Sequence, residues 1–203
     1  MNNRNLITAL AIAALITVAV TTAGCTTNTS PTATPIASTE TTIGNNTVFS
    51  SAAGFNITYP KTLKIDSTTN ASVQVRIYVY LATNNTVDAV NVATEPVDPN
   101  ATSLDYASYN IGKVNDYPNY KLLANNTTEI SGKTSYTVVW QATVPVQTGT
   151  AASTVQNQTL EVMQTYVVNN NNGYVVTYKA IPSDYNTYLA QAQQIMSSFE
   201  FIS

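Results

Sequence analysis

Apolar and polar positions begin to alternate at Thr47, and the alternation recurs with turn residues between its runs. Phe55, Ile57 and Tyr59 alternate up to Pro60. Val73, Val75, Ile77 and Val79 alternate with Gln74, Arg76, Tyr78 and Tyr80, and a second strand over 87–94 follows the turn at Asn84-Asn85. Further strands are predicted over 136–143, 159–168 and 174–181. The last two are joined by Asn169-Asn170-Asn171-Asn172-Gly173, a hairpin signal because Asn and Gly tolerate positive φ. Two segments change to the helical period. Leu104, Ala107, Ile111 and Val114 follow the potential caps Thr102 and Ser103. Tyr185, Tyr188, Leu189, Ala192, Ile195, Met196 and Phe199 form a longer stripe that starts at Ser183-Asp184, after Pro182. Strands with two helices and hairpin-length links predict an α+β fold: a central antiparallel β-sheet flanked by helices.

Ahead of this pattern the chain is organised differently. Arg4 precedes an apolar run, Leu6–Val20, that falls short of the roughly 20 residues of a membrane span. Thr22-Ala23-Gly24-Cys25 then resembles a lipobox, with Thr22 where a large aliphatic residue is usual. Residues 1–24 read as a lipoprotein signal peptide and Cys25 as the lipidated residue; an uncleaved anchor helix is the alternative. Both place the rest of the chain outside the cytoplasm. Residues 25–46, rich in Thr, Ser, Pro, Ala and Asn, read as a flexible stalk, because they bury too little apolar surface to offset their ordering entropy. Residues 47–203 form the domain.

Composition narrows the chemistry. The chain has no histidine, and Cys25 is its only cysteine, which excludes Ser-His-Asp and Cys-His catalysis, disulfides and most structural zinc sites. A net charge of −3, with 9% charged residues, argues against nucleic acid as a partner. The acids Asp66, Asp88, Asp98, Asp116, Glu129, Glu161 and Glu200 are scattered, with no pair that suggests carboxylate catalysis. Glu161, beside Met163 and Thr165, reads as solvent-facing. No glycine-rich loop is present to cradle a phosphate.

Candidate sites are few. Sequons that fit N-glycosylation in a turn or at a strand end occur at Asn70, Asn84, Asn100, Asn125 and Asn126, with another at Asn157; Asn-Thr also simply makes good turns. Asn56, inside a strand, is the poorest acceptor. Glu95, Asp98 and Asp105 place oxygens around one short loop, a set that a hard cation such as calcium accepts; a solvated connector capping the first helix is the alternative. Thirteen tyrosines against four phenylalanines suggest either an exposed recognition face, with Tyr78, Tyr80, Tyr106, Tyr109 and Tyr117 in it, or an amphipathic core boundary.

The order of elements resembles the PsbP family. The resemblance rests on Phe55-Asn56-Ile57-Thr58-Tyr59-Pro60, on Tyr120-Lys121-Leu122-Leu123 after the first helix, and on Ile130-Ser131-Gly132-Lys133 before the strand centred on Trp140. Gly173-Tyr174-Val175-Val176-Thr177-Tyr178 and the closing Ser197-Ser198-Phe199-Glu200-Phe201 complete it. It covers roughly residues 47–203 and implies a PsbP-like α/β/α sandwich without enzymatic activity. The family roles involving calcium or manganese rest on residues that the resemblance does not map onto this chain, so no cofactor is assigned, with calcium or manganese as the alternative. The expected role is binding or scaffolding at the cell surface, with envelope proteins as partners; a receptor for a small ligand or divalent cation is the competing role, and a carboxylate hydrolase a third.

Overall fold

The computed structural model describes residues 38–67, 72–81, 87–147 and 155–202. Cys25, the apolar run before it, most of the stalk, Asn70 and Asn84 lie outside the described residues. The first strands are β1 (Thr39–Ile43), β2 (Asn46–Ser51), β3 (Phe55–Pro60), β4 (Lys64–Asp66), β5 (Val73–Leu81) and β6 (Val87–Pro96). Helix α1 (Ser103–Val114) leads to β7 (Lys121–Ile130), β8 (Lys133–Gln147), β9 (Val155–Asn169) and β10 (Asn172–Ala180). Helix α2 (Pro182–Ser197) and the short β11 (Glu200–Phe201) close the chain.

Two antiparallel sheets stand where one was expected. Their strand orders are β1-β2-β3-β11 and β4-β5-β6-β10-β9-β8-β7. The small sheet forms because β11 turns back after α2 and pairs Glu200 with Asn56 and Phe201 with Phe55. Its far edge corrects the sequence boundary: part of the predicted stalk is β1, in register with β2 from Thr39↔Ser50 to Ile43↔Asn46. Every β1 residue is exposed, so its composition is that of a solvated linker, and only pairing reveals the strand. Glu40 on β1 accepts a 2.8 Å hydrogen bond from the Tyr59 hydroxyl.

Alternation sends opposite faces of the seven-stranded sheet into two cores. Tyr174, Val176, Tyr178 and Ala180 of β10 pack with Val75 and Ile77 of β5, Val90 and Val92 of β6, the small sheet, and Tyr185, Ala192, Ile195 and Met196 of α2. Phe199 stacks on Phe55 with ring centroids 5.1 Å apart. The opposite face meets α1, where Tyr106, Ala107 and Val114 cover Val138, Trp140, Leu160, Val162 and Tyr166. The chain is thus mostly antiparallel sheet with few flanking helices.

Local chemistry fixes the joints. Thr102 caps α1: its Oγ1 accepts from the Asp105 N–H, while Asp105 Oδ2 accepts from the Thr102 N–H at 2.9 Å and from its hydroxyl at 2.6 Å. Pro182 starts α2, where its missing N–H costs nothing. The β9–β10 turn takes positive φ at Asn170 and Asn171, and the β7–β8 turn does so at Ser131 and Gly132.

Candidate ligand pocket

A pocket of about 70 Å³ lies between α1 and the adjoining face of the seven-stranded sheet. Helix α1 supplies the roof through Tyr106, Asn110 and Val114, and Tyr117 follows the helix. The floor comes from alternate residues of β6, β10, β9 and β8. Helix α1 sits over β8 and β9, which leaves the floor of β6 and β10 to one side of it.

Register places a row of polar side chains across the floor. Arg76 on β5 pairs with Asn91 on β6, Asn91 with Thr177 on β10, and Thr177 with Gln164 on β9. Gln164, only 6% exposed, joins the row to the aromatic wall. Its Oε1 accepts from Trp140 Nε1 at 2.8 Å and from the Tyr166 hydroxyl at 2.7 Å. An indole N–H can only donate, so the amide orientation follows from chemistry. Gln164 Nε2 then donates to Thr177 Oγ1 at 3.4 Å, and Arg76 Nε donates to Asn91 Oδ1 at 3.3 Å.

Two charged residues line the pocket. Lys179 follows Thr177 on the same face of β10 and is 9% exposed. Burial, with the Arg76 charge nearby, pushes its amine down to about 8; Asp88 acts in the opposite sense. Glu95 lies on β6 opposite Gly173, with Oε1 buried and without a hydrogen-bond partner. Burial first, and then the Glu95 carboxylate, hold the Tyr106 hydroxyl well above its usual range. Lys179 and Glu95 do not converge. Lys179 is six positions along β10 from Gly173, roughly 20 Å of strand.

The expected cation set is not assembled. Asp105 is engaged in the α1 cap, Asp98 Oδ1 accepts from the Asn100 N–H at 2.8 Å in an exposed turn, and Glu95 turns into the pocket. No cluster of three acidic, histidine or cysteine side chains occurs among the described residues. Asn100 sits in the expected exposed turn, but Asn125 and Asn126 correct the sequence reading. They lie within β7, opposite Val138 and Thr137, and are exposed on an edge strand. Asn157 is exposed near the start of β9.

The tyrosines divide. Tyr59, Tyr106, Tyr166, Tyr174, Tyr178 and Tyr185 are core residues, whereas Tyr109 stays half exposed with Lys113 Nζ 3.7 Å from its ring centre. Glu161 is not solvent-facing as expected. It is partly buried on the α2 side of β9, where burial raises its carboxyl, and the opposite face of that strand lines the pocket. Sequence reasoning passed over Gln164 and Lys179, because a buried polar residue in an alternating strand has the signature of a solvent-facing one. The available signal was Val138-Val139-Trp140, apolar on both faces and hence buried on both.

No protein-family profile and no curated protein matches the sequence. Solved structures do, and the chain has the PsbP-like fold. The solution structure of cyanobacterial PsbP from Synechocystis matches with a TM-score of 0.51 and 16% identity, over 85% of this chain and 98% of that one. LpqN of Mycobacterium tuberculosis, described as involved in cell envelope biogenesis, matches at 0.54 and 8% identity, over 73% and 83% of the two chains. A Pseudomonas aeruginosa protein of unknown function matches at 0.51 and 12% identity, over 76% and 96%. At such identities the likeness is one of fold.

Proposed function

We propose that this chain is a non-enzymatic binding protein held outside the cytoplasm, and that the pocket beneath α1 receives a small ligand. The observation that carries this reading is the pocket's lining: aromatic walls from Tyr106, Trp140 and Tyr166 around a floor of fixed polar groups. Apolar concavity with a few oriented polar groups is the usual make-up of a small-molecule site. Glu95 is the one carboxylate among its described lining residues, so the acid pair of a hydrolase has no place there. Export follows from the signal pattern ending at Cys25, which also supplies the lipid anchor to the membrane. The envelope role given to LpqN, which shares the fold, agrees with that setting.

Trp140 is the only tryptophan in the chain and lies in the pocket wall, so its fluorescence reads the site directly. Amino acids, organic acids, sugars and short peptides, with calcium and manganese as separate arms, are titrated against the full-length chain. A saturable change in emission with a matching rise in melting temperature is expected for at least one organic class. An unchanged spectrum and melting temperature across the panel would overturn the receptor reading and favour scaffolding among envelope proteins.

A further inference from the structure

The polar row has an uneven supply of donors and acceptors. Asn91 Oδ1 is taken by Arg76, and Gln164 Oε1 by Trp140 and Tyr166. Thr177 Oγ1 accepts from Gln164 Nε2, which leaves the hydroxyl hydrogen of Thr177 to donate. With their oxygens engaged in these bonds, Asn91 and Thr177 have N–H and O–H groups to offer, and Lys179 adds an ammonium one step along β10. The acceptors Glu95 and Asn110 Oδ1 stand under α1, so at the β6–β10 end of the floor the remaining groups donate and select a ligand group that accepts.

We propose that the pocket binds small carboxylates, with the carboxylate at Lys179, Asn91 and Thr177 and an apolar body against Trp140, Val162 and Leu160. This inference rests on the receptor reading above and names its ligand class. Register supports the division of labour, since Lys179 lies opposite Val162 on β9, and Val162 opposite Trp140 on β8. The head group and the apolar wall therefore occupy one row of the floor. Buried cations are stable when an anion and hydrogen bonds compensate them. Around Lys179, Arg76 on β5 repels it and Asp88 on β6 attracts it, while Glu95 stands at the far end of the floor. Asp66 on β4 stands opposite Arg76 in register, so the charge that a ligand carboxylate would offset is that of Lys179. The pocket's size, about 70 Å³ against the roughly 150 Å³ that holds benzene, restricts the enclosed part to a few heavy atoms.

The test uses the full-length chain in phosphatidylcholine vesicles, with Trp140 emission as the readout. Isobutyrate, its neutral carboxamide and inorganic phosphate are the probes, because each fits the enclosed volume and none absorbs where tryptophan does. Wild type is expected to bind the carboxylate at least about tenfold more tightly than the amide, a difference of about 1.4 kcal/mol. Lys179→Met should abolish that preference by weakening the carboxylate far more than the amide; Lys179→Arg should keep part of it. Far-ultraviolet circular dichroism checks that each variant folds, and Asn91→Ala, expected to weaken the carboxylate a few-fold, stands in if Lys179→Met does not.

Equal binding of carboxylate and amide would overturn the carboxylate assignment and leave the receptor reading intact. Phosphate binding as tightly as the carboxylate would make this an anion site without need of the apolar wall, which also overturns the proposal. No response to any probe up to about 10 mM would remove the carboxylate assignment, and the broader ligand panel then decides the receptor reading.

Discussion

At Gly173 the β10 backbone runs under the Tyr106 ring so closely that a Cβ would lie 2.6 Å from Tyr106 Cζ and 2.8 Å from Val97 Cγ1. Glycine is needed here for proximity. Gly173→Ala must push the ring, and α1 with it, away from the sheet. Overpacking of this kind costs about 1–3 kcal/mol, so urea unfolding should show a clearly lower midpoint, with Trp140 emission shifted as the roof moves. A wild-type midpoint would mean that α1 lifts without strain. Asp88 makes a different residue-scale argument. It is fully buried on β6, and neither carboxylate oxygen has a hydrogen-bond partner of good geometry. Burial, then the Asp184 carboxylate, raises it from 3.8 to about 6. The native state therefore holds a proton that the unfolded chain has released, so this contribution is full below about pH 4 and is lost as pH rises through about 6. Asp88→Asn should flatten the pH dependence and stabilise the protein at pH 7 by roughly 2 kcal/mol. Equal pH slopes for variant and wild type, in urea unfolding at pH 4 and pH 7, would refute this account. Neither residue was legible beforehand. Gly173 reads simply as a turn residue, and Asp88 as one more scattered acid, because what makes each unusual comes from an element distant in sequence.

Elements were legible in proportion to how much local chemistry defines them. Helix α1 announces both its period and its cap, and the Thr102–Asp105 box forms where the sequence places it. Strands β3 and β5 alternate because one face meets a core, and the centres of these two and of β6, β9 and β10, which pack on both faces, fall as predicted. Strand β7 is the informative exception. Lys121–Ile130 is exposed almost throughout, so no period marks it, and Asn125-Asn126-Thr127 reads as a turn. What makes it a strand is the partner: the tight turn at Ser131-Gly132 brings β8 alongside, and pairing runs from Ile130↔Lys133 back to Lys121↔Gln141. As an edge of the large sheet, β7 exposes Leu122 and Leu123 at its start but keeps Lys121, Asn125, Asn126, Thr127 and Glu129 toward solvent, polar groups that discourage edge-to-edge association. The pocket was the least legible feature. Its aromatic wall comes from β8, β9 and α1 and its donors from β6 and β10, and no short stretch of chain contains both.

At the scale of the molecule, the two faces of the large sheet have divided their tasks. The α2 side is filled by a cluster in which Phe55, Tyr174, Phe199 and Phe201 interlock, with Tyr174 and Phe201 ring centres 5.0 Å apart. The α1 side is less completely covered, and the part of the polar row on β6 and β10 lies to one side of the helix. On the proposed reading of the pocket, stability and recognition can therefore be varied separately, and the small sheet belongs wholly to the first. Its outer strand lies before the boundary drawn at Thr47, which gives a direct comparison. A chain starting at Thr47 loses β1, the Tyr59–Glu40 hydrogen bond and the bond from the Lys61 N–H to the Asn45 carbonyl; one starting at Ser38 keeps all three. Single hydrogen bonds contribute about 1 kcal/mol each, and an uncovered β2 also exposes a new edge. The chain beginning at Thr47 should therefore melt several degrees lower and associate more readily on heating, while its isobutyrate affinity stays that of the longer chain, since none of the described lining residues precedes Ser72. Equal melting temperatures would make β1 a passive flap. A lost affinity with unchanged melting would mean instead that the small sheet supports the floor of the pocket through β5, and that the two faces are energetically one.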